Sequence, residues 1–557
     1  MEYSELVKIY SSLEATSSRL EKTRILADFF SRAPKELLYI IPPLTMGKVF
    51  PDWSPLELGV GPGSLYDTIC FVSGVTKNEL KIVIREEGDA GKAVEKLFSK
   101  KRQATLFSEK LTVRKVYGNF YKIARKSGGG TQGRKNKLLA ELLGDAAPVE
   151  ARYLIRTILG ELRAGVAEGI VRDALAKSFD IPPPVVERAY MLTNDFGKVA
   201  VTAMEQGEKG LKQLSVKVGV PLKPMLAQIS PSIEKVLEDV GKAAFEIKYD
   251  GARIQIHKEG KKIGIFSRRL EEVTHALPDI VANARKAIIA GDVIIEGEAV
   301  AVNPETRRPK AFQDILRRFR RKYGVEKMAL KIPFETYLFD ILYVDGATMI
   351  DDPFKERRRK LGEIIKPISR KFELARQVTT DDPVEAEDFY QEALNMGHEG
   401  IMIKNPGAPY IPGMRVGHMY KIKPVMETLD LVITGALWGT GKRAGWLSSY
   451  VLSTWDGEAG EFLYIGRVGT GVTEEQLEEF TLKLKPLIEI ETGMIVKLKP
   501  ELVVEVAFQE IQKSSKYDSG YALRFPRIVR VREDKSPLEA DDMGRVTTLY
   551  ELQQSSR

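Results

Sequence analysis

The stretch AFEIKYDGARIQIH, residues 244–257, decides how the middle of the chain folds. Apolar and polar residues alternate on both sides of its central Asp-Gly pair, which predicts two strands joined by a turn as a β-hairpin. Phe245 and Ile247 are expected to face a core, with Glu246 and Lys248 on the opposite face. A lysine in this setting can act as a nucleophile once it loses its proton, which burial and neighbouring cations favour. An ordinary solvated lysine at the end of a strand fits this segment alone at least as well.

Strand patterns continue beyond this segment and predict an α+β domain over residues 221–424. The prolines of Pro221-Leu222-Lys223-Pro224 resist helix and mark a linker at the start of the domain. A helical stretch at 354–365 separates some of the strands. The runs with alternating or apolar strand patterns are RIQIH (253–257), VIIEGEAVAV (293–302), YLFDILYV (337–344) and GIMIK (400–404).

The regions on either side of this domain follow other patterns. Residues 1–220 place apolar side chains at helical spacing, as at Leu6, Ile9 and Leu13, and predict an all-α domain. Residues 425–557 contain mostly short strands, with one amphipathic helix expected over 473–487 between the third and fourth strands. Five strands with a helix in that position are typical of a small β-barrel of the OB-fold type.

The composition limits the possible classes of function. At about 150 residues per domain, 557 residues suggest three or four domains. With 43% hydrophobic residues and no apolar run of about 18 residues, neither a disordered nor a membrane-spanning chain is expected. The first residues lack the features of a secretory signal. A single cysteine, Cys70, fits a reducing compartment, and the net charge of +8 favours polyanionic partners.

Further short motifs accompany the lysine segment in a definite order. They combine basic, acidic and glycine residues near strand ends and are KYDGAR (248–253), FSRR (266–269), EGE (296–298), YLFD (337–340), EGIMIK (399–404), YKIK (420–423) and RFPRIVRVREDK (524–535). In order and spacing they resemble the nucleotidyltransferase motifs of ATP-dependent DNA ligases of the archaeal and eukaryal replicative type. PLKPMLA (221–227) resembles the entry to that family's catalytic domain, and EARYLIRTILGELRAGVAEG (150–169) resembles its DNA-binding domain.

Two details of these motifs bear on local structure. Strand parity does not put Glu399 and Lys404 on one face, so a bend is expected near Gly400. Met419 stands where relatives often carry an aromatic residue, which puts in doubt the packing near the second lysine motif.

The resemblance implies a DNA ligase that uses ATP and Mg²⁺ or Mn²⁺. Such an enzyme seals nicks in duplex DNA through a lysyl-AMP intermediate and an adenylated 5′-phosphate, in replication, repair and recombination. It would have a helical DNA-binding domain (1–220), an adenylation domain (221–424) and an OB-fold domain (425–557). It would act as a cytoplasmic, nucleoid-associated monomer of archaeal type, without a membrane partner.

The resemblance also implies roles for individual residues. Lys248 would be the nucleophile, and Glu298 and Glu399 would bind the metal. Phe339 would stack on adenine, although plain core packing is the alternative, because Tyr337, Ile341 and Tyr343 share its face. The nucleotide-binding residues would be Glu246, Arg253, Arg268, Glu298, Phe339, Lys404, Arg415, Lys421, Lys423, Arg527, Asp534 and Lys535. The last three, on the OB-fold domain, would contact the β- and γ-phosphates during the first step only.

Contacts with DNA and with a sliding clamp follow from other segments. Phe312 and Phe525 align with aromatic residues that enter the minor groove in relatives. Residues 306–322 hold eight basic side chains, among them Arg317 and Arg318, which would meet phosphates unless they form a solvated helix face. At Gly160 and Gly165, backbone N–H groups would bind phosphate, or the glycines would permit close helix packing. Three residues resemble an abbreviated binding motif for a PCNA-like clamp, with a helix cap and buried anchors as the alternative, namely Gln103, Leu106 and Phe107.

Three alternatives share parts of this pattern. RNA ligases and mRNA guanylyltransferases have the lysine motif but generally lack a large helical domain before it. NAD-dependent ligases carry a cysteine-rich zinc module, whereas this chain has one cysteine. A non-catalytic DNA-binding protein does not need Lys248 together with Glu298, Glu399, Lys421 and Lys423.

Overall fold

The computed structural model of the protein describes most of the chain. The described residues are 1–100, 109–126, 131–310, 312–319, 321, 323–423, 428–440, 443, 445–469 and 473–555. They form two compact units, one of residues 1–75 and 94–423 and the other of residues 76–93 and 424–557. None of the described helices combines the length and the apolarity that a membrane crossing requires.

The N-terminal region is helical, as its spacing of apolar residues predicts. Proline and glycine set several helix ends: one helix begins at Pro183, and another ends before Gly74, whose φ of 77° suits a residue without a Cβ. The helices are α1 Tyr3–Glu14, α2 Arg19–Arg32, α3 Ile41–Thr45, α4 Pro62–Ser73, α5 Lys77–Glu87, α6 Ala90–Ser99, α7 Val113–Ala124, α8 Thr131–Asp145, α9 Pro148–Ile158, α10 Glu168–Ser178, α11 Pro183–Thr193 and α12 Phe196–Lys212.

The middle region contains two sheets with helices packed against them, which confirms the α+β prediction. The strands are β1 Leu226–Ile229, β2 Ala243–Ile247, β3 Ala252–Glu259, β4 Lys262–Ser267, β5 Asp292–Ala301, β6 Phe334–Val344, β7 Ala347–Thr348, β8 Phe372–Leu374, β9 Gln377–Thr380, β10 Ile401–Lys404 and β11 Arg415–Ile422. The helices are α13 Ile233–Val240, α14 Pro278–Ala287, α15 Phe312–Phe319, α16 Val325–Lys331, α17 Phe354–Ile364 and α18 Pro383–Asn395.

The sheet topology corrects one expectation about the lysine segment. One sheet has the order β1-β11-β10-β2-β9, and the other has the order β4-β3-β5-β6-β7, with β8 paired to β6. Strands β2 and β3 therefore do not form a hairpin, because residues 248–251 carry the chain from one sheet to the other. Phe245 and Ile247 are buried as predicted, in a core that also includes Ile401 and Ile403 of β10. Lys248 thus lies where the two sheets meet.

The C-terminal region is built mainly of strands. They are β12 Thr428–Trp438, β13 Leu447–Asp456, β14 Glu461–Val468, β15 Ile488–Thr492, β16 Ile495–Ala507, β17 Glu510–Lys513, β18 Tyr521–Arg524 and β19 Arg527–Val531. Helix α19, Glu474–Leu484, follows β14 as expected and is capped by the Thr473 hydroxyl, and α20, Met543–Ser555, closes the described part. The main sheet has the order β14-β13-β12-β16-β15, with β19 paired to β16.

Candidate adenylation site

The Lys248 amine is held by the carboxylate of Glu399, which lies just before β10. The Lys248 N–H donates to the Gly400 carbonyl at 2.8 Å, and the Glu399 N–H donates to the Lys248 carbonyl at 3.0 Å. This pairing brings Lys248 Nζ within 2.5 Å of Glu399 Oε2. Gly400 has a φ of 128°, and a Cβ there would lie 2.3 Å from the Ile422 carbonyl oxygen. The expected bend near Gly400 is present, and only glycine fits it.

Further cations surround this ion pair. The Lys423 ammonium also binds the Glu399 carboxylate. Lys421 lies two residues earlier in the chain, on β11. Burial and the neighbouring ammonium of Lys423 lower the pKa of Lys421, with smaller contributions from Lys248, Arg268 and Arg415. Burial and the charge of Lys248 lower the pKa of Lys423 as well. The residues form a concentration of positive charge that suits a polyphosphate.

Two carboxylates near Lys248 have opposite pKa shifts. Burial raises the pKa of Glu399, but the charges and hydrogen bonds of Lys248 and Lys423 outweigh it and set the value at about 2. Burial raises the pKa of Glu298 to about 7, because nearby Lys248 and Arg253 only partly offset it. A Cβ at Gly251 would lie 2.7 Å from Glu298 Cγ, so that glycine makes room for this carboxylate.

Arg253 and Lys404 lie beside the aromatic ring of Phe339. The Arg253 guanidinium is 5.3 Å from the ring centroid, and Lys404 Nζ is 4.7 Å from it. Arg253 Nη2 binds Glu296 Oε2 at 2.5 Å, and Lys404 Nζ binds Glu246 Oε2 at 2.6 Å. Phe339 is only partly buried, although it also packs against the core of the β2 sheet.

Comparison with known families gives three matches along the chain. Residues 2–176 match the family described as DNA ligase N terminus, 224–423 the ATP dependent DNA ligase domain, and 443–535 the ATP dependent DNA ligase C terminal region. The chain is 50% identical over 555 residues to a DNA ligase of Thermococcus fumicolans, covering 100% of this chain and 99% of the relative. It is also 50% identical over 554 residues to a DNA ligase of Archaeoglobus fulgidus, covering 99% of each.

The chain belongs to the ATP-dependent DNA ligase family. A solved structure titled Pmar-Lig_PreS3 has the same fold, with a TM-score of 0.60 over 95% of this chain and 99% of that chain. Its sequence identity is 19%, so this likeness concerns the fold alone. The ligase is therefore of archaeal type, with a helical N-terminal DNA-binding region, an α+β adenylation domain and a β-rich OB region.

The terminal motif of the ligase lies in the second compact unit. Arg527 is exposed on β19. Asp534 accepts hydrogen bonds from Arg532, which lower the pKa of its carboxyl group. Lys535 Nζ binds Asp430 Oδ2 at 2.7 Å, and Arg532 binds the same oxygen at 2.7 Å. These contacts fix the motif within its own unit.

The predicted DNA-binding role of Arg318 needs correction. Arg317 is 69% exposed and contacts only the nearby Asp314 among the ion pairs of the described residues. Arg318 is fully buried, binds Asp279 at 2.6 Å, and donates to the carbonyls of Ile332 and Ala276. A side chain held in this way supports the fold and is not available to a phosphate. The basic run thus contains both an exposed and a structural arginine, which the residue pattern alone did not separate.

The two predicted glycines lie on either side of a loop after α9. The Gly160 N–H donates to the Thr157 carbonyl at 3.1 Å, so this amide is used within the helix end. Lys22 Nζ donates to the Gly165 carbonyl at 3.1 Å, and a Cβ at Gly165 would lie 2.2 Å from that nitrogen. Gly165 therefore lies close against the Lys22 side chain, and phosphate binding by its backbone N–H stays a prediction.

The remaining predicted residues differ in exposure, and some lie outside the described part of the structure. Phe525 is 64% exposed, has a φ of 50°, and lies between β18 and β19. Phe312 begins α15, and its side chain is outside the described part of the structure. Gln103, Leu106 and Phe107 also lie outside the described residues. Met419 is buried beside Met225 and Tyr410, so this side chain fills the core at that position.

Sequence analysis missed two residues that touch the nucleotide-site side chains. Gln377 Nε2 donates to Glu246 Oε1 at 3.0 Å, and Arg253 Nη2 donates to the hydroxyl of Tyr410 at 3.3 Å. Neither residue lies in a recognised motif, and no periodic pattern marks them. Gln255 lies two residues after Arg253 on β3, so strand alternation puts both on one face, and this was the available signal for its contact with Glu296 at 3.2 Å.

Proposed function

We propose that the ligase seals nicks in duplex DNA through a nucleotide carried covalently on Lys248. The observation that carries this proposal is the position of the Lys248 amine, bound to Glu399 and surrounded by Lys421 and Lys423. Phosphoryl transfer depends chiefly on positioning and on neutralising phosphate charge. A nucleophile surrounded by fixed cations meets both requirements.

The reaction consists of three phosphoryl transfers. The deprotonated Lys248 Nζ attacks the α-phosphorus of ATP, forming a P–N bond and breaking the bond to pyrophosphate. An oxygen of the 5′-phosphate at a nick then attacks the same phosphorus, and the lysine amine leaves. Finally the 3′-hydroxyl loses its proton and attacks the 5′-phosphate, which joins the strand and releases AMP.

The side chains around Lys248 divide into groups that suit the parts of the nucleotide. Phe339 offers a face for adenine, and Glu246 offers a carboxylate to its amino group. Arg253 has a buried Nε without a hydrogen-bond partner among the described residues, which fits a guanidinium that lacks part of its binding set. We assign the ribose and phosphate groups to the cationic side chains Arg253, Arg268, Lys404, Arg415, Lys421 and Lys423.

The donor set also fits a magnesium ion. No group of three or more metal-ligating side chains occurs in the described residues. Mg²⁺ commonly binds one or two carboxylates and completes its shell with water and substrate phosphates. Glu298 and Glu399 would hold it, since the charge of Glu399 is close enough to help raise the pKa of Glu298. The ion would neutralise phosphate charge, and the lysines would bind the phosphate.

The partners are nicked duplex DNA and a PCNA-like sliding clamp. The exposed Arg317 is suited to binding a phosphate, and the exposed Phe525 is suited to entering the minor groove. The family resemblance assigns Phe312 to the minor groove as well. Residues 103–107 would bind the clamp. Arg527, Asp534 and Lys535 would contact the β- and γ-phosphates in the first step, after which the OB region turns to DNA. The ligase would act as a monomer on DNA in the cytoplasm during replication, repair and recombination.

The test is transfer of label from α-labelled ATP to the denatured protein in the presence of Mg²⁺. We expect stable labelling of the wild type and none of Lys248→Ala. Lys258→Ala is a matched control, because this β3 lysine is buried against the carbonyls of Ala290 and Gly291. Labelling of Lys248→Ala, or preferential labelling by GTP or NAD, would contradict the proposal.

A further inference from the structure

The backbone of the linker between the helical region and the adenylation domain forms hydrogen bonds with side chains of β3, the strand that carries Arg253. We define the linker segment as Gly219–Met225. The Gly219 N–H donates to His257 Nδ1 at 2.9 Å. The Leu222 N–H donates to Gln255 Oε1 at 2.9 Å, and Gln255 Nε2 donates back to the Leu222 carbonyl at 3.3 Å. Because both partners are buried side chains of β3, the segment has a defined register on that strand.

Tyr410 joins the end of the linker segment to Arg253. The Met225 N–H donates to the Tyr410 hydroxyl at 3.0 Å, and this hydroxyl donates to the Lys223 carbonyl at 3.3 Å. Arg253 Nη2 donates to the same hydroxyl at 3.3 Å, and Nη1 donates to the Met225 carbonyl at 3.4 Å. Tyr410 is 3% exposed, so these bonds do not compete with bulk water. The guanidinium therefore touches the linker segment directly and through one hydroxyl.

The other side of Arg253 is fixed by Glu296. Glu296 Oε2 binds Arg253 at 2.5 Å, and Glu296 Oε1 accepts a hydrogen bond from Gln255 at 3.2 Å. Gln255 is also the residue that binds Leu222. Hence the linker segment reaches the guanidinium along three routes: directly through the Met225 carbonyl, through Tyr410, and through Gln255 and Glu296.

The linker segment is also tied to the helical region. Lys223 Nζ binds the Glu168 carboxylate at 2.5 Å and the Tyr190 hydroxyl at 3.2 Å. Asn194 Nδ2 donates to the Pro221 carbonyl at 2.7 Å. The same seven residues therefore contact the helical region with one side and Arg253 with the other.

We propose that the linker segment sets the position of Arg253 in the nucleotide site, and that Tyr410 is the positioning residue through which it acts. This inference rests on the proposed binding of the nucleotide by Arg253. In this proposal Tyr410 acts through its hydrogen bond to Arg253 and not by binding the nucleotide. It acts on affinity because a guanidinium that is held in place loses less freedom when it binds.

The test is the ATP dependence of self-adenylation in Tyr410→Phe, which removes only the hydroxyl. We expect the KM for ATP to rise about 5- to 10-fold, as loss of a buried hydrogen bond predicts, with kcat changed less than about twofold. Tyr10→Phe is the matched control, because its buried hydroxyl donates to the Leu44 carbonyl at 3.1 Å, away from this site. The control should keep the wild-type KM.

A double-mutant cycle separates positioning from general stability. In an Arg253→Ala background, Tyr410→Phe should give no further rise in KM, because the residue through which it acts is gone. An additive effect of the two substitutions would overturn the inference. If Arg253→Ala alone leaves KM unchanged, the proposed role of Arg253 fails, which is a different result from failure of the positioning role.

A second variant keeps the inference testable if Tyr410→Phe does not fold. Lys223→Met cuts the half-buried tie to Glu168 and keeps the Lys223 carbonyl that accepts from Tyr410. We expect a rise in KM of about two- to threefold, from loss of a charged hydrogen bond that acts indirectly, again absent in the Arg253→Ala background. An unchanged KM in this variant would overturn the inference.

Discussion

Replacing Glu298 by Gln should stabilise the adenylation domain at alkaline pH while abolishing its function. Burial raises the pKa of Glu298 from 4.5 to about 7, so the folded domain holds the proton more tightly than the unfolded chain. This tighter proton binding adds to the free energy of unfolding. The contribution is fully present below pH 4.5 and is lost as the pH rises through 7. Since one pKa unit equals about 1.4 kcal/mol, the ionised carboxylate costs the folded state roughly 3 kcal/mol at pH 8.

Glutamine has nearly the same shape and remains neutral at every pH. Glu298→Gln should therefore raise the free energy of unfolding by about 3 kcal/mol at pH 8 and by less than about 1 kcal/mol at pH 5. The domain, residues 221–424, contains no tryptophan, so tryptophan fluorescence does not report on its unfolding directly. Amide hydrogen exchange at β3 and β5, read by mass spectrometry, measures its unfolding specifically.

Magnesium provides the internal check on this reasoning. Mg²⁺ should stabilise the wild type at pH 8, because it stabilises the carboxylate that burial disfavours, and should have little effect on Glu298→Gln. The variant should also lose sealing activity. If Glu298→Gln changes stability equally at pH 5 and pH 8, or destabilises the domain at pH 8, burial of this charge is not the cause.

Four further variants test the assignments outside the Lys248 site. Arg317→Ala should weaken DNA binding and lower the slope of log affinity against log salt by about one, with unchanged thermal stability. Arg318→Met should instead destabilise the domain by roughly 3 kcal/mol, because it leaves Asp279 without its buried partner, and a change in salt slope without loss of stability would restore Arg318 as a DNA contact. Asp534→Ala with Lys535→Ala should slow self-adenylation roughly 100-fold and sealing of pre-adenylated DNA less than about fivefold, whereas equal losses would refute a role limited to the first step. Phe107→Ala should weaken binding to a purified PCNA-like clamp by about 30-fold or more, and wild-type affinity in a folded variant would exclude docking through this motif.

The outcome at neighbouring residues shows where sequence reasoning stops. The alternation in 244–257 predicted that Lys248 and Glu246 share a face, because strand geometry fixes side-chain direction two residues at a time. The bend at Gly400 was expected on the same ground. The prediction of a hairpin between β2 and β3 was wrong, because the partner with which a strand pairs depends on residues far away in the chain. Arg317 and Arg318 differ by one position, and the buried one is distinguished by its tertiary partners, Asp279 and the carbonyls of Ile332 and Ala276.

The order of the motifs, the succession of helical, mixed and β-rich regions and the identity of the charged residues were determined by the sequence itself, since local periodicity and residue chemistry need no distant partner. The tertiary structure decided which charges meet. It joined Lys248 to Glu399 across 151 positions and laid the backbone of the linker segment against Arg253. It also buried Glu298 deeply enough to raise its pKa to about 7. Such effects depend on the distance between groups and on the exclusion of water around them, and both arise only when the sheets pack together.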